Sequence, residues 1–120
     1  PSKAQNLANI FRAYGDIAAI RFEDIAPQSI DIIINGTSTS LTGDLPTLVN
    51  NILAEGACAY DMAYGKPQMP FLEWATAQQA QVSDGLGMLI EQAAESFFIW
   101  RGVRVQTTEL LAEIRKELTV

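Results

Sequence analysis

The sequence predicts an α/β fold built on a parallel sheet, and three observations lead there. Residues 31–35 (Asp-Ile-Ile-Ile-Asn) carry consecutive isoleucines with no polar alternation, the mark of a strand covered on both faces. Residues 57–62 (Ala-Cys-Ala-Tyr-Asp-Met) read as a strand of the same kind. Stretches of helical periodicity fall between and after these runs, so strands alternate with helices, as right-handed crossover connections require.

The elements follow in order. Ser2 and Gln5 have capping-box spacing. Apolar residues then recur at Leu7, Ala8, Ile10, Phe11 and Tyr14, ahead of Gly15, which is suited to closing a helix in the left-handed region. Residues 17–22 read as a strand, and 31–35 as the next. A short helix is expected within 44–53, with Pro46 tolerated in its first turn. The strand at 57–62 comes next, then a helix over 71–79 opened by Pro70, then a short strand at 81–82. The clearest helix spans 85–100, with Leu86, Leu89, Ile90, Ala93, Ala94, Phe97 and Phe98 as its stripe. The last helix covers 108–118, with Leu110, Leu111, Ile114 and Leu118 on one face. No repeat, linker or low-complexity stretch divides the chain, so 1–120 is expected to form a single domain. The first helix has no strand before it. A crossover helix returns from a strand, so the sheet's other half is expected to be missing.

Composition narrows the function classes. The chain has 120 residues, 48% of them hydrophobic and 18% charged, enough to build a real core. Its net charge of −6 argues against nucleic acid or an anionic membrane as partner. No segment approaches the roughly 18 apolar residues of a membrane span, and no basic-then-apolar start suggests a signal peptide. Cys58 is the one cysteine, so no internal disulfide forms, which fits a reducing cytoplasm. Between Ala57 and Ala59 it is expected to be a small buried residue. Histidine is absent, which removes Ser-His-Asp and Cys-His nucleophilic sites and leaves no ligand set for structural zinc.

Two motifs are decoys. Gly85-Leu86-Gly87 opens like a dinucleotide fingerprint, but position 90 is Ile and no long apolar strand leads into it. Asn35-Gly36-Thr37 matches a glycosylation acceptor only by composition.

Three clusters are more informative. Asn35, Gly36, Thr37 and Ser38 end the isoleucine strand, where open parallel sheets bind ligands. The same residues also suit a turn with local capping bonds. Asp61, Met62, Ala63, Tyr64, Gly65 and Lys66 follow the next strand. There Met62 offers a flexible apolar contact for a planar ring and Tyr64 a phenolic hydroxyl. Alternatively Met62 is core and Tyr64 a surface aromatic. Gly85, Met88, Gln92 and Ser96 share one face of the long helix. Gln92 there is either a solvent-facing residue or a donor and acceptor for a polyhydroxylated ligand.

Five segments, taken together, resemble shikimate dehydrogenase: Ile-Ile-Asn-Gly-Thr-Ser (33–38), Gly-Asp-Leu-Pro (43–46), Tyr-Asp-Met-Ala-Tyr (60–64), Pro-Phe-Leu-Glu-Trp (70–74) and Asp-Gly-Leu-Gly-Met-Leu-Ile-Glu-Gln-Ala-Ala (84–94). They occur in the family's order and spacing, from the first helix to the last. The resemblance implies the C-terminal half of a Rossmann-like, NADP-binding domain with covering helices and a final helix. It implies reversible hydride transfer between 3-dehydroshikimate and shikimate, on the route to aromatic amino acids. By the same resemblance Thr37 and Ser38 would line the cofactor crevice and Met62 would lie at the nicotinamide. Gly85 would approach the cofactor by its backbone, with Met88 nearby. Tyr64 and Gln92 would contact shikimate. Gly36 stands where the family usually has Ala.

The family's catalytic Lys and Asp belong to an N-terminal domain and have no counterpart here, so no catalytic residue is assigned. The glycine-rich phosphate loop and the Asn-Arg-Thr segment that would read the 2′-phosphate also have none. The chain alone is therefore expected to be inactive and to self-associate through its bared edge or the bared domain face, with the missing N-terminal domain as its natural partner. Two other readings stand beside this one: a quinate/shikimate dehydrogenase paralogue, and a free-standing non-catalytic binding module.

Overall fold

The computed structural model describes residues 2–37, 48–65 and 69–118. Helix α1 (Ser2–Phe11) runs on into a 3₁₀ turn (Arg12–Tyr14), and a second 3₁₀ turn spans Phe22–Asp24. Strands β1 (Ile30–Asn35) and β2 (Leu53–Asp61) come next, then helix α2 (Pro70–Ala77), strand β3 (Gln81–Ser83), and helices α3 (Leu86–Arg101) and α4 (Thr108–Leu118). The strands form one parallel sheet in the order β1-β2-β3.

Local chemistry accounts for most of these bounds. Pro70 opens α2, where its missing N–H costs nothing. Gly102 closes α3 at φ 68°, its N–H donating to the Phe98 carbonyl at 2.7 Å, as a left-handed terminator does. In α4, Glu109 lies in the first turn and Arg115 and Lys116 in the last, each matched to the helix dipole.

The core lies on one face of the sheet. Ile52, Leu53, Ala57 and Ala59 pack with Phe71 and Ala75, which share a face of α2 one turn apart. Register sets this: Ile33 pairs Ala59 and faces α2, while Ile32 pairs Cys58 and Ile34 pairs Tyr60 on the opposite face. On that second face Ile32 and Ile34 remain 66% and 62% exposed, and Cys58 is exposed as well. The expectation of cover on both faces, and of a buried Cys58, is thus met on one face only. The cause is topological, since α2 packs beneath the sheet and none of the described residues lies over Ile32 and Ile34.

Other expectations are corrected by partners that local sequence does not show. Residues 17–21 form no strand and residue 22 begins a 3₁₀ turn. A strand exists only within a ladder, and in a doubly wound sheet this one pairs with strands from earlier in the chain. Among the described residues no strand precedes it. Gln5 Nε2 donates to Asn9 Oδ1 at 3.2 Å, and Ser2 already lies inside the helix and not at its cap, so the expected capping box is not seen. Gly15, at φ 172°, is extended and not left-handed. Of the helix expected within 44–53, residues 44–47 lie outside the described residues. Residues 48–52 are irregular, with a turn at 50–51, and residue 53 opens β2.

Candidate functional site

The carboxyl ends of β1 and β2 are in register, Asn35 opposite Asp61, so the chain leaves the sheet twice at one point. Both side chains are buried, at 4% and 1% exposure. Asn35 Nδ2 donates to Asp61 Oδ2 at 3.2 Å. The Thr37 backbone N–H and hydroxyl both donate to Asn35 Oδ1, at 3.1 and 2.7 Å. The Ala63 N–H donates to Asp61 Oδ1 at 2.9 Å, and the Met62 N–H to the Asn35 carbonyl at 3.0 Å. Buried polar groups cost free energy unless bonded. Here the bonds run from the strand ends into both departing loops.

The third loop, between β3 and α3, is brought against the second. The Gly85 N–H donates to the Ala63 carbonyl at 2.9 Å. A Cβ on Gly85 would lie 2.1 Å from the Met62 carbonyl oxygen, so only glycine allows this approach. A Cβ on Gly36 would meet Met62 Sδ at 3.3 Å, a flexible neighbour that can give way. Met62 is therefore touched from both sides, by Gly36 and by Gly85.

From this hub the sequence-predicted residues can be located. Met62, Tyr64 and Met88 are each more than 40% exposed, and Thr37 and Gln92 are exposed. Met88 and Gln92 lie about 4.5 and 10.5 Å along α3 from Gly85 at 1.5 Å per residue. Gln92 Nε2 currently donates to the Leu89 carbonyl of its own helix at 3.0 Å. Thr37, Met62 and Gly85 thus lie on the three loops that meet at the strand ends, while Met88 and Gln92 follow along α3 and Tyr64 lies two residues beyond Met62. Ser38 lies outside the described residues.

Two features escaped the sequence reading. One is the buried Asn35–Asp61 pair, whose only sequence signal is a polar residue ending each of two apolar strands. The other is a fork between helices: Arg115 on α4 donates to both oxygens of Asp84, at 2.5 and 2.9 Å. Asp84 Oδ1 also accepts from the Leu86 N–H at 3.3 Å at the start of α3. Its hydrogen bonding to Asp84 holds the Arg115 pKa above the ordinary guanidinium value, against a lowering by burial and with help from the Asp84 charge. No spacing rule links positions 84 and 115.

Concavities lie elsewhere. One of 560 Å³ sits at the amino end of β2, lined by Asn50, Asn51, Glu55, Gln78 and Gln79 among others. An apolar cleft of 380 Å³ runs between α3 and α4 beside Leu89, Phe97 and Ile114. Parallel sheets take ligands beyond their carboxyl ends. Topology therefore selects the Asn35–Asp61 end over the larger hollow.

Comparison with known proteins shows what the chain is similar to. Residues 85–115 match the family model described as the shikimate 5'-dehydrogenase C-terminal domain. The chain is 46% identical over 119 residues to a shikimate dehydrogenase (NADP(+)) of Nitrosospira multiformis, covering 98% of this chain and 43% of that protein. It is 48% identical over 118 residues to one of Vibrio cholerae, covering 98% and 42%. Among solved structures it matches an Ael1 enzyme of Pseudomonas putida at TM-score 0.83 and 46% identity, over 99% of this chain and 42% of that one. It matches shikimate 5-dehydrogenase of Thermus thermophilus in complex with NADP(H) and shikimate at TM-score 0.78 and 27% identity, over 97% and 42%. A 5-ketofructose reductase of Gluconobacter follows at TM-score 0.73 and 29%, over 94% and 44%. The chain spans about two fifths of the length of these relatives.

Proposed function

We propose that the chain is the C-terminal, cofactor-binding portion of an NADP-dependent shikimate dehydrogenase, folded as one unit. The observation that carries this is the meeting of three loops, bearing the family's motif residues, at the carboxyl ends of a parallel sheet. The residues present fit the nicotinamide end of a dinucleotide. Met62 and Met88 offer exposed, polarizable side chains, and Gly36 and Gly85 let their loops close against Met62. When bound, NADP supplies the hydride acceptor and donor for the interconversion of shikimate and 3-dehydroshikimate.

The chain's own residues bind and orient. Thr37 lines the crevice, Met62 and Met88 hold the ring plane, and Gly85 approaches the cofactor by its backbone; by the family resemblance Ser38 would join Thr37. Tyr64 and Gln92 hydrogen-bond the polyhydroxylated substrate, Gln92 after releasing its bond to Leu89. No residue here moves a proton at the reacting oxygen; in this reading the N-terminal domain supplies the acid/base. The phosphate loop and the 2′-phosphate contact belong to residues outside this sequence. The 120-residue chain alone therefore shows no turnover. We place the enzyme in the cytoplasm, where the exposed thiol of Cys58 would stay reduced. Among the described residues no helix is long and apolar enough to cross a membrane.

The test is substrate-dependent NADP⁺ reduction by the enzyme expressed from the whole reading frame, with Tyr64→Phe and Gln92→Ala alongside. Turnover of shikimate, impaired roughly tenfold to a hundredfold in both variants as lost substrate hydrogen bonds would give, supports the reading and both contacts. The likeness to a 5-ketofructose reductase makes other polyhydroxy ketones the second reading. Activity on quinate or a keto sugar and none on shikimate would move the assignment there. Inactivity on all of them would leave a shared fold and favour a binding module.

A further inference from the structure

We propose that Asn35 and Asp61 are a positioning pair that sets the spacing of the cofactor crevice, an inference that rests on reading the chain as the cofactor-binding part of a shikimate dehydrogenase. Neither side chain is accessible enough to touch a ligand, at 4% and 1% exposure. Each instead holds a loop that is. Asn35 Oδ1 takes both Thr37 donors, and Asp61 Oδ1 takes the Ala63 N–H beside Met62. The bond from Asn35 Nδ2 to Asp61 Oδ2 joins the two halves.

The bridge has a direction. Two donors from Thr37 fix which end of the Asn35 amide is oxygen. The nitrogen must then face the carboxylate. Two places up the same pair of strands, Ile33 meets Ala59 with no polar group at all. A strand end needing only packing would continue that pattern, because burying an acid and an amide is costly without full pairing. The polar pair gives instead a fixed distance and a fixed orientation between the loops of Thr37 and Met62.

Direction makes the idea testable by exchange. Asn35→Asp sets carboxylate against carboxylate. Asp61→Asn sets an amide N–H against either Asn35 Nδ2 or the Ala63 N–H. The double variant Asn35→Asp/Asp61→Asn restores every bond named above. The carboxylate at position 35 accepts from Thr37 and from the amide at position 61, whose oxygen accepts from Ala63.

The experiment measures the NADP⁺ dissociation constant by protein fluorescence, and kcat and KM for shikimate, on the enzyme from the whole reading frame. Each single variant is expected to weaken NADP⁺ binding by about tenfold or more, the equivalent of one lost charged hydrogen bond. KM for shikimate should move less, and the double variant should return to within about threefold of the parent. Single variants that fold and bind like the parent overturn the proposal. So does a double variant that folds but binds no better than the weaker single. If the singles do not fold, the double decides alone: parent-like affinity sustains the pair, and failure to fold or tenfold weaker binding overturns it. A parent that binds no NADP⁺ instead sinks the family reading. The pair is then judged on amide exchange at Thr37 and Ala63, slow in parent and double and fast in the singles if the bridge holds, and unchanged throughout if it does not.

Discussion

The segment from Ser2 to Asp24 and the segment from Leu48 to Ile90 carry sequence patterns of equal quality, yet only the second is packed. In the first, the periodic residues Leu7, Ile10, Phe11 and Tyr14 are 45–83% exposed and Ala8 alone is buried. In the second, Ile52, Phe71, Ala75 and Leu86 are at 2% or less. An apolar stripe is a demand for a partner, and most of the stability of a protein helix comes from that partner. Where β2 supplies one, α2 buries its face. Among the described residues no strand pairs with 17–21, and both that segment and the face of α1 stay open.

The largest expected effect compares two phenylalanines. Phe71→Ala removes a fully buried ring that packs on Ile52 and stacks with Trp74 at 5.9 Å. It should cost about 3–5 kcal/mol in urea unfolding. Phe11→Ala, on a ring 45% exposed, should cost under about 1 kcal/mol. Similar losses at both positions would mean that α1 is packed as firmly as α2, and the contrast between regions would fall.

Two glycines sharpen it. Gly85→Ala forces a methyl to within 2.1 Å of the Met62 carbonyl oxygen. Backbone must move, at a cost of about 1–3 kcal/mol or more, with weakened NADP⁺ binding because Met62 moves too. Gly15 has open space around it and extended backbone that any residue adopts. Gly15→Ala should be neutral or stabilise by about 0.4–1 kcal/mol through the unfolded chain. Thermal melts of the two variants check this, and a tolerated Gly85→Ala would show that the two loops need not touch.

Legibility followed the same division. Helix α4 falls on 108–118 as its period foretold, and α2, α3 and β3 lie within two residues of their expected bounds, because capping residues and periodicity are local. The parallel pairing of 31–35 with 57–62 was legible in their apolar runs. Which face would be covered was not, since Ile32 and Ile33 are the same residue type and only register tells them apart. In the candidate site, Thr37, Met62, Gly85 and Met88 were proposed from motifs. The bonds that hold them were not, because Asn35–Asp61 and Asp84–Arg115 are 26 and 31 residues apart and no period spans that distance.

The uncovered face makes the smallest demand on stability and the sharpest on behaviour. Covering Ile32 and Ile34 would be worth about 1.5–3 kcal/mol each. They flank the outer edge of β1, which no described strand pairs. Open edges beside apolar surface recruit other chains. We therefore expect the 120-residue chain to sediment as a concentration-dependent associating species. Ile34→Lys should shift it toward monomer, because a charge on that face opposes edge pairing. The same change should leave its unfolding free energy within about 0.5 kcal/mol, since the side chain it replaces is 62% exposed. A chain that stays monomeric at every concentration would show that the bare face is tolerated. An Ile34→Lys variant that associates unchanged would move the contact to another surface, with the exposed stripe of α1 the next to test.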